Sequence, residues 1–405
     1  MKLGQDLAES FDLANLPDAF YEDPFPYYRS LRESSPLKKL RDGSYFLTRY
    51  ADVLAVYNNP DVFSSDKKIE FKPKYGDSAL YEHHTTSLVF NDPPLHTRVR
   101  RLITAALTPR AIGGMEPALI ALVDRLLDRM EEKRDVDLIE DFAAAIPIEV
   151  IGNLLDVPRE ERGPLRAWSL AILSALEPAI SNDIFQRGNK AVQEFLGYLK
   201  LLVAARRRYP GDAQRDVLTA LIQGEYSGDR LTESELLHNC IFILNAGHET
   251  TTNLIGNGLV LLDQWRDQRH RLIAEPELIK TAIEEFLRFE SSNQLGNRIT
   301  LAPTEIDGTA MPTGTRINLA IGAANRDPAQ FPDPDRLDIS RTPNRHLAFA
   351  WGIHACAGMA LARLEGRVAI SRFLQRFPNY QLARKPERNR RARFRGFREI
   401  VFRSA

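Results

Sequence analysis

The sequence predicts a mainly α fold with a smaller β part, and three observations carry that expectation. Between about residues 95 and 290, apolar residues recur at spacings of three and four, as in Leu119, Leu122, Leu126 and Leu127. Within that stretch, one periodic segment runs from Leu231 to about Leu262. At ~1.5 Å per residue it is roughly 45 Å long, enough to cross a whole domain. Residues 294 to 320 then lose the helical period and read as short strands separated by turns.

The elements follow in order. Asp23-Pro24 and Phe25-Pro26 mark an extended or turned entry, and 27–32 reads as a short helix. The Asp42-Gly43 turn precedes a strand over 44–48, within a β-rich part over about 35–60. Residues 64–91 are polar and without clear period, which predicts an irregular functional loop or lid. Thr232 is a good N-cap for the long helix. Glu235 three positions on completes a capping box. A second strong helix covers 276–289, and turns fall at Asp307-Gly308 and Pro312-Thr313-Gly314. The prolines at 328, 332 and 334 exclude a long helix there. A last helix over 357–376 precedes strands near 380 and 400. No linker-like tract divides the 405 residues, so a single domain over 1–405 is expected.

Lysine plus arginine and aspartate plus glutamate both number 54, so nothing draws the chain as a whole to nucleic acid or an anionic membrane. The arginine runs at 206–208 and 388–398 read as solvated faces. No apolar run reaches the ~20 residues that span a bilayer, and acidic residues interrupt the first segment. A soluble, cytoplasmic protein is expected. Only two cysteines occur, Cys240 and Cys356, which argues against a disulfide framework. Neither has a CxxC partner for zinc.

Cys240 lies inside the long helix and reads as a small apolar core residue. Cys356 is different. It sits in Phe349-Ala350-Trp351-Gly352-Ile353-His354-Ala355-Cys356-Ala357-Gly358, just ahead of a helix N-terminus. The helix dipole and free backbone N–H groups there favour a thiolate. Gly352 and Gly358 let the backbone approach a flat ligand, and Phe349 can shield the sulfur.

Phe349, Gly352, Cys356 and Gly358 resemble the cytochrome P450 signature F-x-x-G-x-x-x-C-x-G, and further matches in order cover most of the chain. The resemblance implies the cytochrome P450 fold. Haem b (protohaem IX) would lie between the long helix and the cysteine-loop helix, with Cys356 as the iron ligand. Ala350 departs from the glycine that many relatives carry, which predicts a slight tilt of the loop.

Other motifs have a plain reading alone and a sharper one through the resemblance. Glu285 and Arg288, at i and i+3, are an ordinary surface pair by spacing. In the family such a pair is buried and joined by an arginine from the proline-rich segment, which points to Arg336 as a structural third member. His96 and Arg100 share one helix face and suit a carboxylate. The resemblance makes them, with Arg298 and His354, the ligands of the haem propionates. Ala246-Gly247-His248-Glu249-Thr250-Thr251 is poor helix chemistry in mid-helix. It matches A-G-x-E-T-T, which implies Thr250 steadying dioxygen and Glu249 supplying protons through water.

The implied activity is a haem-thiolate monooxygenase acting on dioxygen and a small, largely apolar organic substrate. Electrons would come from a ferredoxin and its ferredoxin reductase, docking where Arg101, Arg345 and Arg363 offer positive charge. Neither nucleic acid nor membrane is an expected partner. Asn245, Leu295 and Phe397 are candidate substrate contacts, Asn245 through a hydrogen bond to substrate or, equally, to a neighbouring helix. A peroxide-driven peroxygenase and a non-catalytic haem ligand binder are the alternatives. The Glu249–Thr250 pair counts against both.

Overall fold

A computed structural model describes residues 2–213, 216–224 and 230–403, the side chains of 2–5 apart. Helix takes 58% of the chain and strand 10%, which is the mainly α architecture expected. The long helix runs Glu233–Gln264 with both bonds of its capping box formed. Glu235 N–H donates to Thr232 Oγ1 at 3.2 Å, and Thr232 N–H donates to Glu235 Oε2 at 2.8 Å. Helices Ala145–Leu154, Leu165–Ser174, Asn182–Arg208 and Met359–Arg376 pack around it. It is therefore buried on nearly every side, which its length and the absence of a clean polar face require.

The main sheet has five strands in the order Leu37–Lys39, Tyr45–Leu47, Arg316–Ala320, Leu295–Thr300, Phe63–Ser64. Tyr45–Leu47 pairs with Arg316–Ala320 in parallel, and the other neighbours are antiparallel. Asp307 and Gly308, both at positive φ, make the tight turn between Thr304–Ile306 and Thr309–Met311.

Three expectations need correction. Residues 64–91 are not an irregular loop: they hold helices Lys68–Tyr75 and Ala79–Thr86 and a 3-10 turn Leu88–Phe90. Each helix has eight residues, too few to display a period, and Pro73 interrupts the first. The β-rich part at 35–60 contains helix Tyr50–Asn58. Near residue 380 there is only an isolated bridge, Leu382 to Phe402. The described helix corresponding to 276–289 is Ile279–Phe289, preceded by a 3-10 turn at Pro276–Leu278.

Candidate active site

Between Glu235 and Leu262 only four residues of the long helix escape burial: Phe242, Ala246, Gly247 and Thr250. Phe242, Ala246 and Thr250 stand at i, i+4 and i+8, so they form one stripe on one face. An internal hollow therefore opens along the middle of a helix that is packed everywhere else. Thr250 Oγ1 donates to the carbonyl of Ala246 at 2.7 Å, a back-bond that loosens the ladder at this turn.

Cys356 lies on a second element packed against the long helix. Its loop is built by hydrogen bonds within the signature: Ala355 N–H to Gly352 O at 3.0 Å and Cys356 N–H to Phe349 O at 2.9 Å. Gly352 has φ +69°, and a Cβ there would stand 2.5 Å from the carbonyl oxygen of Tyr57, so glycine is required twice over. The position of a Cβ on Gly358 is open space, leaving that side of the backbone free for a flat group. Ala350 also sits in the left-handed region, φ +55°, which explains why glycine suits that position better. Burial pushes the Cys356 thiol up. The Gly358 N–H and the cations Arg100 and Arg363 act the other way and favour thiolate. Cys240 is wholly buried in the core, and burial pushes its thiol up to about 12.

The four expected propionate residues converge. The rings of His96 and His354 are 4.2 Å apart. Arg298 lies 5.1 Å over the Tyr57 ring, and Arg100 Nη2 donates to Ala355 O at 2.6 Å, tying its helix to the cysteine loop. Among the described residues, neither nitrogen of His96, nor Nε2 of His354, has a hydrogen-bond partner. Burial lowers His96 to about 4, helped by Arg100, and lowers His354 to about 2, helped by Arg298, His96 and Arg100. Buried donors without acceptors, gathered beside two arginines, are costly unless an anion joins them. A group carrying two carboxylates fits this donor set, and the open backbone at Gly358 fits a flat one.

Glu285 and Arg288 are completely buried and doubly bonded, at 2.7 and 2.8 Å. The third member is not Arg336. Arg336 is exposed and contributes only its backbone carbonyl, 3.4 Å from Arg288 Nη2. A turn with Asp333 at positive φ aims its side chain outward. Arg341 returns instead, 3.2 Å from Glu285 Oε2, and Asn344 and the Asp338 N–H complete the carboxylate's bonds at 3.0 Å.

The candidate substrate contacts divide. Asn245 is buried, with Nδ2 3.5 Å from His83 Nε2, and its Oδ1 accepts nothing among the described residues. Its partner is thus a histidine of the Ala79–Thr86 helix, not a helix carbonyl. Leu295 belongs to the apolar cluster of Phe11, Phe20, Phe46 and Ala320, and Phe397 is buried beneath the Arg388 guanidinium. Both are core residues in this structure. Phe349 packs against the core with the Arg363 guanidinium 4.8 Å from its ring. Arg363 is bound to Glu284 at 2.7 and 2.8 Å, so its charge is not free for a docking partner.

The arginine run at 388–398 is mostly not a solvated face. Arg395 is buried against Glu290, Arg388 is near Glu290 at 3.6 Å, and Arg391 is paired with Glu249 and, at 3.3 Å, with Glu177. Arg390 and Arg398 do face solvent. The sequence hid this because the run's acidic partners lie more than a hundred residues away.

Comparison with known proteins decides the family. The sequence profile described as Cytochrome P450 matches residues 167–393. The chain belongs to the cytochrome P450 family. It is 36% identical over 367 residues to the biotin biosynthesis cytochrome P450 of Bacillus subtilis, covering 90% of this chain and 91% of that one. It is 39% identical over 368 residues to the vitamin D(3) 25-hydroxylase of Pseudonocardia autotrophica, covering 90% and 89%. The crystal structure of P450BioI in complex with acyl carrier protein ligated to hexadec-9Z-enoic acid superposes with a TM-score of 0.91 at 34% identity, over 96% of this chain and 100% of that one. This P450 is accordingly a monooxygenase that uses a haem-iron cofactor, dioxygen and an organic substrate. Among the described residues, no helix is long and apolar enough to cross a membrane.

Proposed function

We propose that this P450 inserts one oxygen atom into a small, largely apolar substrate, using protohaem IX held by Cys356 and electrons from a ferredoxin-type partner in the cytoplasm. The observation that carries the reading is the pairing of a Cys356 loop, shaped by Gly352 and Gly358, with a separate group of partnerless buried donors, His96, His354 and Arg298. When bound, the haem supplies thiolate-assisted dioxygen activation. The residues do the rest. Cys356 binds the iron, with the N–H of Gly358 and the charge of Arg100 keeping the sulfur anionic. His96, His354 and Arg298, with Arg100, orient the two carboxylates. Thr250 offers a hydroxyl beside the reacting oxygen, and Glu249, one residue earlier, supplies a proton.

The balanced reaction takes one C–H bond, one dioxygen, two electrons and two protons to one alcohol and one water. The apolar stripe at Phe242 and Ala246, next to the Asn245 amide, suits an extended apolar molecule carrying a polar handle. The names of the relatives, a vitamin D(3) hydroxylase and a P450 bound to a fatty-acyl carrier protein, support that chemical class. Sterol-like and long-chain acyl compounds are the first to screen, by their effect on the ferric haem spectrum and then with isotopically labelled dioxygen, ferredoxin, ferredoxin reductase and reduced nicotinamide. Incorporation of one labelled atom that requires the reductase is expected. Equal turnover with hydrogen peroxide and no reductase would favour the peroxygenase instead.

A further inference from the structure

Glu249 is not simply a lone acid beside Thr250. Its side chain is buried and paired through Oε1 with Arg391 Nη1, while Oε2 accepts no hydrogen bond among the described residues. The same guanidinium reaches Glu177 Oε1 through Nε at 3.3 Å. Glu177 lies beyond the helix Leu165–Ser174, and it is much better satisfied. Its Oε2 also accepts from the N–H groups of Ala392 and Arg393, at 2.9 and 3.1 Å.

Charge balance then becomes decisive. Two carboxylates share one guanidinium in a buried triad, which leaves one negative charge in excess, and an uncompensated buried charge is expensive. The other charged group acting on Glu249 is Arg166, whose guanidinium is bonded to Glu140 at 2.5 Å. His248, the neighbour on the same helix, is held neutral by burial. One proton added to the triad neutralises it. Glu177 has both oxygens engaged, so the proton belongs on the oxygen with no donor, Glu249 Oε2.

We propose that Arg391 and Glu177 are positioning residues that make Glu249 the proton-holding member of a buried triad, with the proton on Oε2. The catalytic importance of that proton rests on the monooxygenase reading above, but the protonation itself does not. Burial pushes Glu249 up, in the direction the charge count requires, and Arg391 opposes it. Glu177 also fixes the turn at 175–177, whose carbonyls accept from Lys74, Tyr75 and Arg393 at 2.6–3.1 Å. The triad is thereby joined to the helix Lys68–Tyr75.

The test is infrared difference spectroscopy on the haem-loaded, substrate-free protein at neutral pH, each variant subtracted from the unaltered protein. Glu249→Gln is expected to remove one protonated-carboxyl band. Glu177→Gln keeps an oxygen for the Ala392 and Arg393 N–H groups but deletes the excess negative charge, so the same band disappears. Arg391→Lys preserves the charge count and keeps it. If Glu177→Gln leaves the band in place, or Glu249→Gln removes none, the proposal is overturned. With a turned-over substrate, the fraction of reductant recovered as product falls as pH rises, and Glu177→Gln moves that fall to lower pH. If the band behaves as expected but Glu249→Gln leaves this fraction unchanged, the triad stands and the assignment of Glu249 as proton donor in the monooxygenase reading fails.

Discussion

Glu365 gives the sharpest stability prediction. It lies on the helix Met359–Arg376 with 2% of its surface exposed, and its Oε2 has no partner among the described residues. Burial alone raises it from 4.5 to about 8. A raised folded-state value means that folded protein holds the proton where unfolded chain has released it. Stability tied to this group is therefore full below pH 4.5 and is lost as pH rises to about 8, after which the loss is constant. The interval is about 3.5 pH units, which at about 1.36 kcal/mol per unit amounts to roughly 5 kcal/mol in all. At pH 7 it is roughly 3 kcal/mol. Glu365→Gln keeps the shape and removes the titration. For a chain of this length, at about 2.1 cal/mol/K per residue, the variant should melt roughly 4 °C higher at pH 7 and by no more than about 1 °C at pH 4.5. Thermal melts of the haem-loaded proteins at fixed ionic strength between pH 4.5 and 9 measure this. A constant difference between the two proteins across that range would refute the burial argument.

Other expectations follow from the same geometry. Glu285→Ala leaves Arg288 and Arg341 buried without their carboxylate and should cost about 3–5 kcal/mol in a denaturant titration, whereas exposed Arg336→Ala should change stability by no more than about 0.5 kcal/mol. Ala350→Gly relieves a left-handed residue, worth about 1–2 kcal/mol, against about 0.4–1 kcal/mol of added unfolded-chain entropy, so a net gain of roughly 0.5–1 kcal/mol is expected in the same assay. His96→Ala with Arg298→Ala should speed haem loss to an apo-globin acceptor while leaving the position of the reduced carbonyl band unchanged, since neither residue touches the sulfur.

The long helix was legible because its cues are local: a capping box, thirty residues of period, and an out-of-place Gly-x-x-Thr run. The cysteine loop was legible because a short motif carries both the glycines and the ligand. Arg341 was missed because the choice between two arginines five residues apart depends on a turn at Asp333, which composition does not announce. Helices Lys68–Tyr75 and Ala79–Thr86 were missed through shortness, although Ser78, whose Oγ accepts from the Tyr81 N–H, was a readable N-cap. Arg391 and Glu177 were out of reach for a different reason. Their link to Glu249 spans 142 and 214 residues of chain, and only the packed structure brings the three together.

The central claim is a haem iron ligated by the Cys356 thiolate. The absorption spectrum of the reduced, carbon-monoxide-bound protein tests it most directly. The account predicts a strongly red-shifted Soret band that is lost in Cys356→His while haem is retained. An unshifted carbonyl band in freshly prepared unaltered protein, or a shifted band that survives Cys356→His, would contradict it.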